Sequence, residues 1–264
     1  MKEETERFPI LKVTEQATSR IEGTVVREFS LTIFLHNQEL VTLLCSPTDL
    51  KYLVVGFLVS EGLIEGKGDI KDILVDDQKG MVRVKTQGDT GVSGGISFKR
   101  LIGSSGGRGG SLYSAPGAKG RAKVESDIHI SRHEVFALMD EFVQRSRLYK
   151  TTGGVHSAAL CDTTGILVFA EDIGRHNAID KVFGQCLLKD IPTHDRIILT
   201  SGRVSSEILF KVAKRNIPII ISKSAPTNVA VRLSDDFNIT LIGFVRGKRM
   251  NAYTNDWRIV IDGE

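Results

Sequence analysis

The second half of the chain alternates apolar, strand-like runs with segments of helical periodicity, and this pattern constrains its fold more than any other feature. The runs HSAALCD, GILVFA, RIILTS, IPIIIS and ITLIGFV are short and apolar, and several are rich in β-branched residues. Such alternation is typical of a sheet with parallel portions that is covered by helices. Ser131 and Glu134 have the spacing of a capping box, which predicts a helix at the start of this unit. We therefore expect an α/β domain over residues 126–264.

The first half predicts a smaller α+β domain over residues 1–125. β-Branched runs on both sides of Asn37-Gln38 favour a hairpin over residues 24–45. The segment Ser46-Pro47-Thr48-Asp49 predicts the start of a helix, with Thr48 or Asp49 as its cap. Two further short strands are expected near residues 73–75 and 82–84.

Residues 91–120 form a glycine-rich basic segment that differs from the rest of the chain. It contains ten glycines and no acidic residue, and its cations are Lys99, Arg100, Arg108 and Lys119. Glycine admits backbone conformations that other residues avoid, so exposed amides there can approach an anion. Two interpretations stay open, namely a linker between domains and a basic loop of the active site.

Charge and cysteine content exclude several classes of protein. The net charge is only +3 and aromatic residues make up 6% of the chain, whereas nucleic-acid binders usually show a strong basic excess. The charged start lacks the apolar core of a signal peptide, and no run approaches the about 20 apolar residues that span a bilayer. Cys45, Cys161 and Cys186 are far apart, which argues against a disulfide framework or a zinc cluster. We expect a cytoplasmic protein without a membrane or nucleic-acid partner.

Three strand-to-helix junctions each bring a cation to the start of a helix. The junctions lie at residues 171–177, 200–206 and 222–227, and their cations are Arg175 with His176, Arg203 and Lys223. If the strands run parallel, these turns meet at the carboxyl edge of the sheet, where open α/β sheets bind ligands. A cation is unfavourable at the positive end of a helix, but a bound anionic ligand would be attracted to both positive groups and would offset their repulsion. Alternatively each cation pairs locally, for example Arg175 with Glu171 or Asp172.

The remaining histidines and the cysteines give only weak indications of ligand or metal binding. His156 stands at a strand start near the predicted site, and either a ligand contact or an internal hydrogen bond would explain it. The three cysteines lie in apolar segments, so we expect them to pack in the core. The spacing of the other histidines indicates no metal site.

Three long motifs make the chain resemble a known family. They are TGGVHSAAL at 152–160, EDIGRHNAIDKVFG at 171–184 and SGRVSSEILFKVAKRNIPIIISKSAPTNVAV at 201–231, and GFLVSEGLI at 56–64 agrees with them. Together they are similar to the formate dehydrogenase accessory sulfurtransferases of the FdhD/NarQ family. The resemblance implies a two-domain protein whose C-terminal domain has a cytidine-deaminase-like three-layer fold with a mixed sheet.

The resemblance also implies a function. Members are expected to be homodimers that bind the bis(guanine dinucleotide) molybdenum cofactor, for which a GDP-like nucleotide is a possible mimic. They take sulfur from a cysteine desulfurase and pass it to the cofactor before its insertion into formate dehydrogenase. The implied binding stretch and the neighbouring candidate residues are Phe244, Val245, Arg246, Gly247, Lys248, Arg249, Ser201, Gly202, Arg203, Lys223, Arg175, His176 and His156. No metal ligand set is implied.

The chain departs from the family pattern in the glycine-rich segment. Members usually carry a cysteine there, but this chain has Ser105 and Gly106 at the corresponding place. Sulfur relay needs a thiolate that accepts and passes on a persulfide, and a serine cannot replace it. Two functions therefore stay open, namely a sulfurtransferase and a chaperone that binds the cofactor without transferring sulfur. A zinc deaminase is disfavoured because Ser201-Gly202-Arg203 stands where deaminases carry cysteine ligands.

Overall fold

The computed structural model describes residues 3–87, the backbone of residues 101–102, and residues 123–261. The predictions for Ser105 and Gly106, and most of the glycine-rich basic segment, lie outside these residues. In the described part, no helix is both long and apolar enough to cross a membrane.

The N-terminal part consists of a hairpin and a five-stranded sheet. Strands β1 (Thr5–Val13) and β2 (Thr18–Val26) form the antiparallel hairpin. The strands of the sheet are β3 (Phe29–Leu35), β4 (Gln38–Cys45), β5 (Ile70–Asp76), β6 (Met81–Thr86) and β7 (Leu101–Ile102). Their spatial order is β5-β6-β3-β4-β7. Helix α1 (Leu50–Glu61) packs its apolar residues against this sheet.

The predicted hairpin around Asn37 is confirmed, with one correction at its start. Strands β3 and β4 pair antiparallel, and His36 and Asn37 take the left-handed conformation in the turn. Residues 24–26, which the sequence assigned to this hairpin, belong instead to β2, because they pair with the first strand. Asp49 is the N-cap residue of α1, although its side chain makes no capping hydrogen bond.

The C-terminal part is built on a six-stranded mixed sheet. The strands are β9 (His156–Cys161), β10 (Ile166–Asp172), β11 (Ile197–Thr200), β12 (Ile219–Ser222), β13 (Thr240–Arg246) and β14 (Arg249–Thr254). Their spatial order is β10-β9-β11-β12-β13-β14. The strands β11, β12 and β13 are mutually parallel. Because β9 is antiparallel to both β10 and β11, β10 runs in the same direction as these three.

Helices cover both faces of this sheet, which gives three layers. One apolar core joins the sheet to α4 (Arg175–Leu188), α5 (Ser206–Lys214) and α6 (Asn228–Asp236). The other core joins it to α2 (Arg132–Arg145), which is followed by the short helix α3 (Arg147–Thr152). The predicted capping box is confirmed, since the Glu134 amide donates to Ser131 Oγ and the Ser131 amide donates to the Glu134 carboxylate. A small parallel bridge pairs β8 (Ile130–Ser131) with β15 (Ile259–Val260).

The two parts are joined tightly where α1 crosses α4. A Cβ atom on Gly56 would lie 1.7 Å from the Asp180 carbonyl oxygen, and one on Gly184 would lie 1.9 Å from the Tyr52 carbonyl oxygen. Both neighbours are backbone, so only glycine allows the helices to approach this closely. Although the halves are in close contact, the predicted domain boundary near residue 125 stays a prediction.

Candidate functional site

The three cationic turns meet at one edge of the C-terminal sheet, as the sequence predicted for parallel strands. They follow β10, β11 and β12, which all point the same way. The antiparallel strand β9 begins at this edge with His156, and β13 ends there with Arg246. The fold thus brings five separate segments of the chain to the place where open α/β sheets bind ligands.

The helices after β11 and β12 were expected to begin near Arg203 and near Pro226, and both start later than this. Helix α4 begins at Arg175 as expected, but α5 begins at Ser206 rather than near Arg203. The cause is a short parallel bridge between Val204 and Pro226, in which the Val204 amide donates to the Ala225 carbonyl. This bridge holds the chain extended, and it also delays α6, whose cap is the Thr227 hydroxyl. Arg203 therefore lies in an extended turn and not on a helix.

A cavity of about 410 Å³ opens at this edge, and we call it the edge pocket. Four of the predicted site residues line it, namely His156, Ser201, Lys223 and Arg246. Its wall also includes Tyr149, which the sequence did not single out. Its volume falls within the range of about 300–1,000 Å³ that is common for ligand pockets.

Lys223 and Arg246 form the cationic side of the edge pocket. The Arg246 Nε donates a hydrogen bond of 3.1 Å to the Lys223 carbonyl oxygen, which fixes the guanidinium beside the lysine. The Lys223 ammonium lies 5.7 Å from the centroid of the Tyr149 ring, and the Arg246 guanidinium lies 5.8 Å from that of Phe244. Phe244 has a φ of 53°, and 38% of it is exposed. Two cations therefore converge at the edge pocket, with the Tyr149 ring in its wall and the Phe244 ring beside Arg246.

His156 and Ser201 form the polar side of the same pocket. The Ser157 amide donates to Ser201 Oγ at 2.9 Å, and His156 Nδ1 lies 3.4 Å from the same oxygen. Burial lowers the pKa of His156, and the nearby Arg175 lowers it further, while Asp172 acts in the opposite direction. The imidazole is therefore neutral near pH 7 and can accept a hydrogen bond as well as donate one.

Arg175 and Arg203 form a second cationic group beside the edge pocket, although neither lines it. Burial lowers the pKa of Arg175, and the charge of Arg203 adds to the effect, while Glu207 opposes it. Gly202 lies between the two arginines, and a Cβ atom on it would lie 2.9 Å from Arg175 Cβ. The absence of a side chain at Gly202 thus allows this turn to lie against Arg175.

The two acids considered as local partners of Arg175 are engaged elsewhere. Asp172 is fully buried and accepts from the amides of Ser46 and Gly174, from Asn177 Nδ2 and from Lys181 Nζ. Glu171 accepts from the amides that start α3, at residues 148 and 149. Local pairing of Arg175 with these acids is therefore wrong, and Asp172 acts as a brace that positions the turn before α4.

His176 and Asn177 point into the protein from the first turn of α4. His176 is 4% exposed, and its Nε2 lies 3.1 Å from a Glu207 carboxylate oxygen. Asn177 Nδ2 donates to the Leu44 carbonyl as well as to Asp172. Asp180 accepts from Lys211 and from the Ser60 hydroxyl, deeper along the same helix. Asn177 and Asp180 therefore tie α4 to the N-terminal part of the chain, whereas His176 contacts α5.

The predicted binding stretch at residues 244–249 divides into three environments. Val245 is buried in the core under the sheet, with 1% of it exposed. Gly247 has a φ of 56° in the turn between β13 and β14, a conformation that favours glycine. Lys248 and Arg249 are exposed at this turn. Only Arg246 of this stretch lines the edge pocket.

The three cysteines are core residues, as expected from their apolar surroundings. Cys45 and Cys161 are fully buried and Cys186 is 1% exposed. Burial raises the pKa of the Cys45 and Cys161 thiols far above their usual range, and it raises that of Cys186 to about 12. Because the thiolate is the nucleophile, these three thiols are unreactive in the folded chain. In the described residues, no group of three or more potential ligands is arranged to hold a metal ion.

Comparison with known proteins now identifies the family. The model of the FdhD/NarQ family matches residues 26–260. The chain belongs to the FdhD/NarQ family. The sulfur carrier protein FdhD of Bacillus pumilus is 44% identical over 235 residues, which cover 89% of this chain and 90% of that protein. FdhD of Staphylococcus aureus strain MRSA252 is 40% identical over 252 residues, covering 96% and 95%.

A solved structure supports the fold of this family member. The crystal structure of a putative formate dehydrogenase accessory protein from Desulfotalea psychrophila superimposes with a TM-score of 0.79. The alignment covers 97% of this chain and 99% of that one, at 24% sequence identity. At this identity the match shows that the two chains share a fold.

Proposed function

We propose that this FdhD/NarQ protein binds the bis(guanine dinucleotide) molybdenum cofactor as cargo during the maturation of formate dehydrogenase. The observation that carries the proposal is the convergence of Lys223 and Arg246 in the edge pocket, with Arg175 and Arg203 beside it. Four cations at the carboxyl edge of one sheet fit the pyrophosphates of such a cargo. Family membership supports the choice of cargo.

The residues of the edge pocket suggest how one end of the cargo would be held. The guanidinium of Arg246 suits bidentate contact with a phosphate, and Lys223 adds a point charge. The ring of Tyr149 in the pocket wall, and that of Phe244 beside Arg246, offer flat apolar surfaces for a base. Neutral His156 and Ser201 supply hydrogen bonds that do not depend on charge. The cavity of about 410 Å³ suits one nucleotide, so the rest of the cargo would extend over Arg175 and Arg203.

We further propose that the chain holds this cargo without carrying a persulfide on its own cysteines. The curated relatives are named sulfur carrier proteins, but this chain has no cysteine in residues 91–120 and its three thiols are buried. Sulfur from a cysteine desulfurase would then reach the cargo directly while the protein positions it. Sulfur transfer through a cysteine of this chain is the second candidate, and the names of the relatives favour it.

The cytoplasm is the compartment that we propose for this task, in contact with a cysteine desulfurase and with formate dehydrogenase. We also propose that the C-terminal sheet is related to the cytidine deaminases. The three layers and the mixed strand order support this relationship.

Complementation tests the proposed function. A bacterial strain that lacks its own family member should regain formate dehydrogenase activity when it expresses this chain. Arg246→Ala should reduce the recovered activity at equal protein level, whereas Lys85→Ala, an exposed cation on β6, should not. Absence of rescue by the wild-type chain would contradict the proposal.

Incubation with a cysteine desulfurase and radiolabelled cysteine separates the two candidates. If the chain acts without its own thiol, no label should remain covalently bound after unbound products are removed. Label that is bound to Cys45, Cys161 or Cys186 and then passes to a guanine-dinucleotide cofactor would establish the sulfur carrier mechanism instead.

A further inference from the structure

Glu171 and Asp172 are neighbouring acids at the end of β10 that serve opposite faces of the sheet. Successive residues of a strand point to opposite sides. Along β10, Ala170 belongs to the core shared with α4, whereas Phe169 packs against the core shared with α2. In keeping with this alternation, Asp172 contacts the turn before α4 and Glu171 contacts the start of α3. The two acids therefore support different walls of the site.

Glu171 caps the helix that carries Tyr149. The Leu148 amide donates to one oxygen of the Glu171 carboxylate at 3.0 Å, and the Tyr149 amide donates to the other at 3.1 Å. The first amides of a helix have no acceptor within it, and the residue before the helix commonly supplies one. In α3 that residue is Ser146, which makes no capping hydrogen bond and whose hydroxyl donates to the Phe142 carbonyl. A carboxylate from β10 therefore replaces the usual cap.

Helix α3 depends on this cap because it is short. It has six residues and is followed by Gly153 in the left-handed conformation. Helices shorter than about 12 residues are marginal in water on their own. A carboxylate at the amino end of a helix is also favoured by the helix dipole. Loss of the Glu171 carboxylate would take the acceptor from two amides at the end of α3 where Tyr149 stands, so this carboxylate sets the place of Tyr149.

The Tyr149 ring is where α3 reaches the edge pocket. It stands in the pocket wall, 5.7 Å from the Lys223 ammonium, and 46% of the residue is exposed. Glu171 itself does not line the pocket. Its carboxylate also lies 3.4 Å from the hydroxyl of Ser157, which does line it, and this longer contact is a second route to the pocket.

We propose that Glu171 is a positioning residue, which holds α3 so that the Tyr149 ring stacks on the base of a nucleoside diphosphate in the edge pocket. This inference rests on the proposed function, since it places a nucleotide there. The pocket then has two parts that are held independently. The phosphates contact Lys223 and Arg246, whereas the base depends on Tyr149 and, through it, on Glu171. Stacking of a base on an aromatic ring strengthens binding roughly 5- to 100-fold.

Calorimetric titration of the full chain with GDP and with inorganic pyrophosphate separates the two parts. Glu171→Gln keeps the size of the side chain, but its NH₂ group cannot accept a hydrogen bond, so one of the two bonds to α3 is lost. This variant should bind GDP at least about fivefold more weakly and should change pyrophosphate binding less than about twofold. Unchanged pyrophosphate binding also shows that the variant is folded. Glu171→Asp keeps both acceptor oxygens and should lose less GDP affinity.

Two further variants serve as controls for the route. Glu39→Gln, at an exposed position on β4, should leave the binding of both ligands unchanged. Ser157→Ala removes the longer contact of Glu171, and it should not reproduce the selective loss of GDP binding.

A cycle with Tyr149 shows whether Glu171 acts through the ring. Tyr149→Ala alone should weaken GDP binding roughly 5- to 100-fold, and Tyr149→Phe, which keeps the ring, should bind GDP as the wild type does. Adding Glu171→Gln to Tyr149→Ala should cause no further loss, because the ring on which it acts is gone. GDP binding that Glu171→Gln leaves unchanged, equal losses for GDP and pyrophosphate, or losses that multiply in the double variant would overturn the inference.

Arg246→Ala distinguishes failure of this inference from failure of the proposed function. It should weaken the binding of both ligands, because both carry phosphates. Binding that does not depend on Arg246 would contradict the phosphate site, and the proposed function and this inference would both fall. Binding that depends on Arg246 but not on Glu171 would overturn this inference alone.

Discussion

The backbone amide of Ser46 donates to the Asp172 carboxylate at 3.0 Å, across 126 positions of sequence. The Ser46 hydroxyl in turn accepts a hydrogen bond of 3.1 Å from the backbone amide of Ile173. Through these two bonds the end of β4 holds the turn that carries Arg175. The cationic edge of the C-terminal sheet is therefore positioned by the N-terminal part of the chain.

The buried ion pair of Asp172 with Lys181 should dominate the stability of this connection. The atoms lie 2.8 Å apart, and each side chain is at most 1% exposed. Asp172→Asn would leave the lysine charge buried without its counter-charge, which typically costs about 3–5 kcal/mol. We expect the free energy of unfolding, measured by denaturant-induced unfolding, to decrease by this amount. The control is Asp235→Asn at an exposed position, which should change the unfolding free energy by less than about 0.5 kcal/mol. Equal changes for the two variants would show that Asp172 does not brace the turn before α4.

The crossing of α1 and α4 should not tolerate a methyl group. Gly184→Ala would place its Cβ 1.9 Å from the Tyr52 carbonyl oxygen, so the helices would have to move apart. We expect a destabilisation of about 3 kcal/mol or more, at the upper end of the range for overpacking. The matched control is Gly66→Ala, since a Cβ atom there meets nothing within 4 Å. A Gly184→Ala protein as stable as this control would contradict the described packing.

Much of the C-terminal sheet could be predicted from the sequence, because its buried strands coincide with short apolar runs, several of them rich in β-branched residues. The position of the cationic turns followed from the parallel direction of their strands. The brace could not be predicted, since nothing local links Ser46 to Asp172. The later start of α5 could not be predicted either, because it depends on the bridge between Val204 and Pro226, which are far apart in the sequence.

The hairpin β1–β2 was missed for a different reason. Its first strand mixes charged residues with apolar ones and contains Pro9, so its strand signal is weak. In addition, the β-branched residues at the end of β2 continue into those of β3, so residues 24–26 were predicted to belong to the following hairpin. In the candidate binding stretch, Val245 points into the core while Arg246 lines the edge pocket. Successive residues of a strand face opposite sides of the sheet, but which residue faces which side depends on the strand register, and the sequence alone does not give that register.

The three thiols should be protected in the native protein. Because Cys45, Cys161 and Cys186 are buried and their pKa values are raised, a thiol reagent at pH 8 should label none of them within the time that labels free cysteine. In denaturant the reagent should label all three. Rapid labelling of one cysteine in the native state would instead indicate an accessible thiol, and would favour the sulfur carrier mechanism.

Stability should fall in mildly acidic solution because of His176. Burial lowers its pKa below the ordinary value of 6.5, and Lys211 and Arg175 act in the same direction, while Glu207 opposes them. Below about pH 6.5 the unfolded chain binds a proton that the folded chain refuses, so the unfolding free energy decreases as the pH falls. The slope should reach at most about 1.4 kcal/mol per pH unit for this residue. The pKa of half-buried His156 is also lowered, so its titration adds to this effect in the same direction.

Thermal unfolding between about pH 7.5 and 5 measures this effect. His176→Gln should flatten the dependence, although it also removes the contact with Glu207 and lowers stability at neutral pH. His194→Gln, at an exposed position, serves as the control and should leave the slope unchanged. An identical slope for wild type and His176→Gln would show that this residue is not responsible.

The most direct test of the account is a calorimetric comparison of GDP with guanosine on wild type, Arg246→Ala and Lys85→Ala. If the phosphates bind at Lys223 and Arg246, Arg246→Ala should weaken GDP binding roughly 10- to 100-fold, which corresponds to the loss of one or two charge-assisted hydrogen bonds. Guanosine binding should be nearly unaffected by either substitution, and Lys85→Ala should behave as wild type with both ligands. GDP that binds no better than guanosine, or whose affinity does not depend on Arg246, would contradict a phosphate site at the edge pocket.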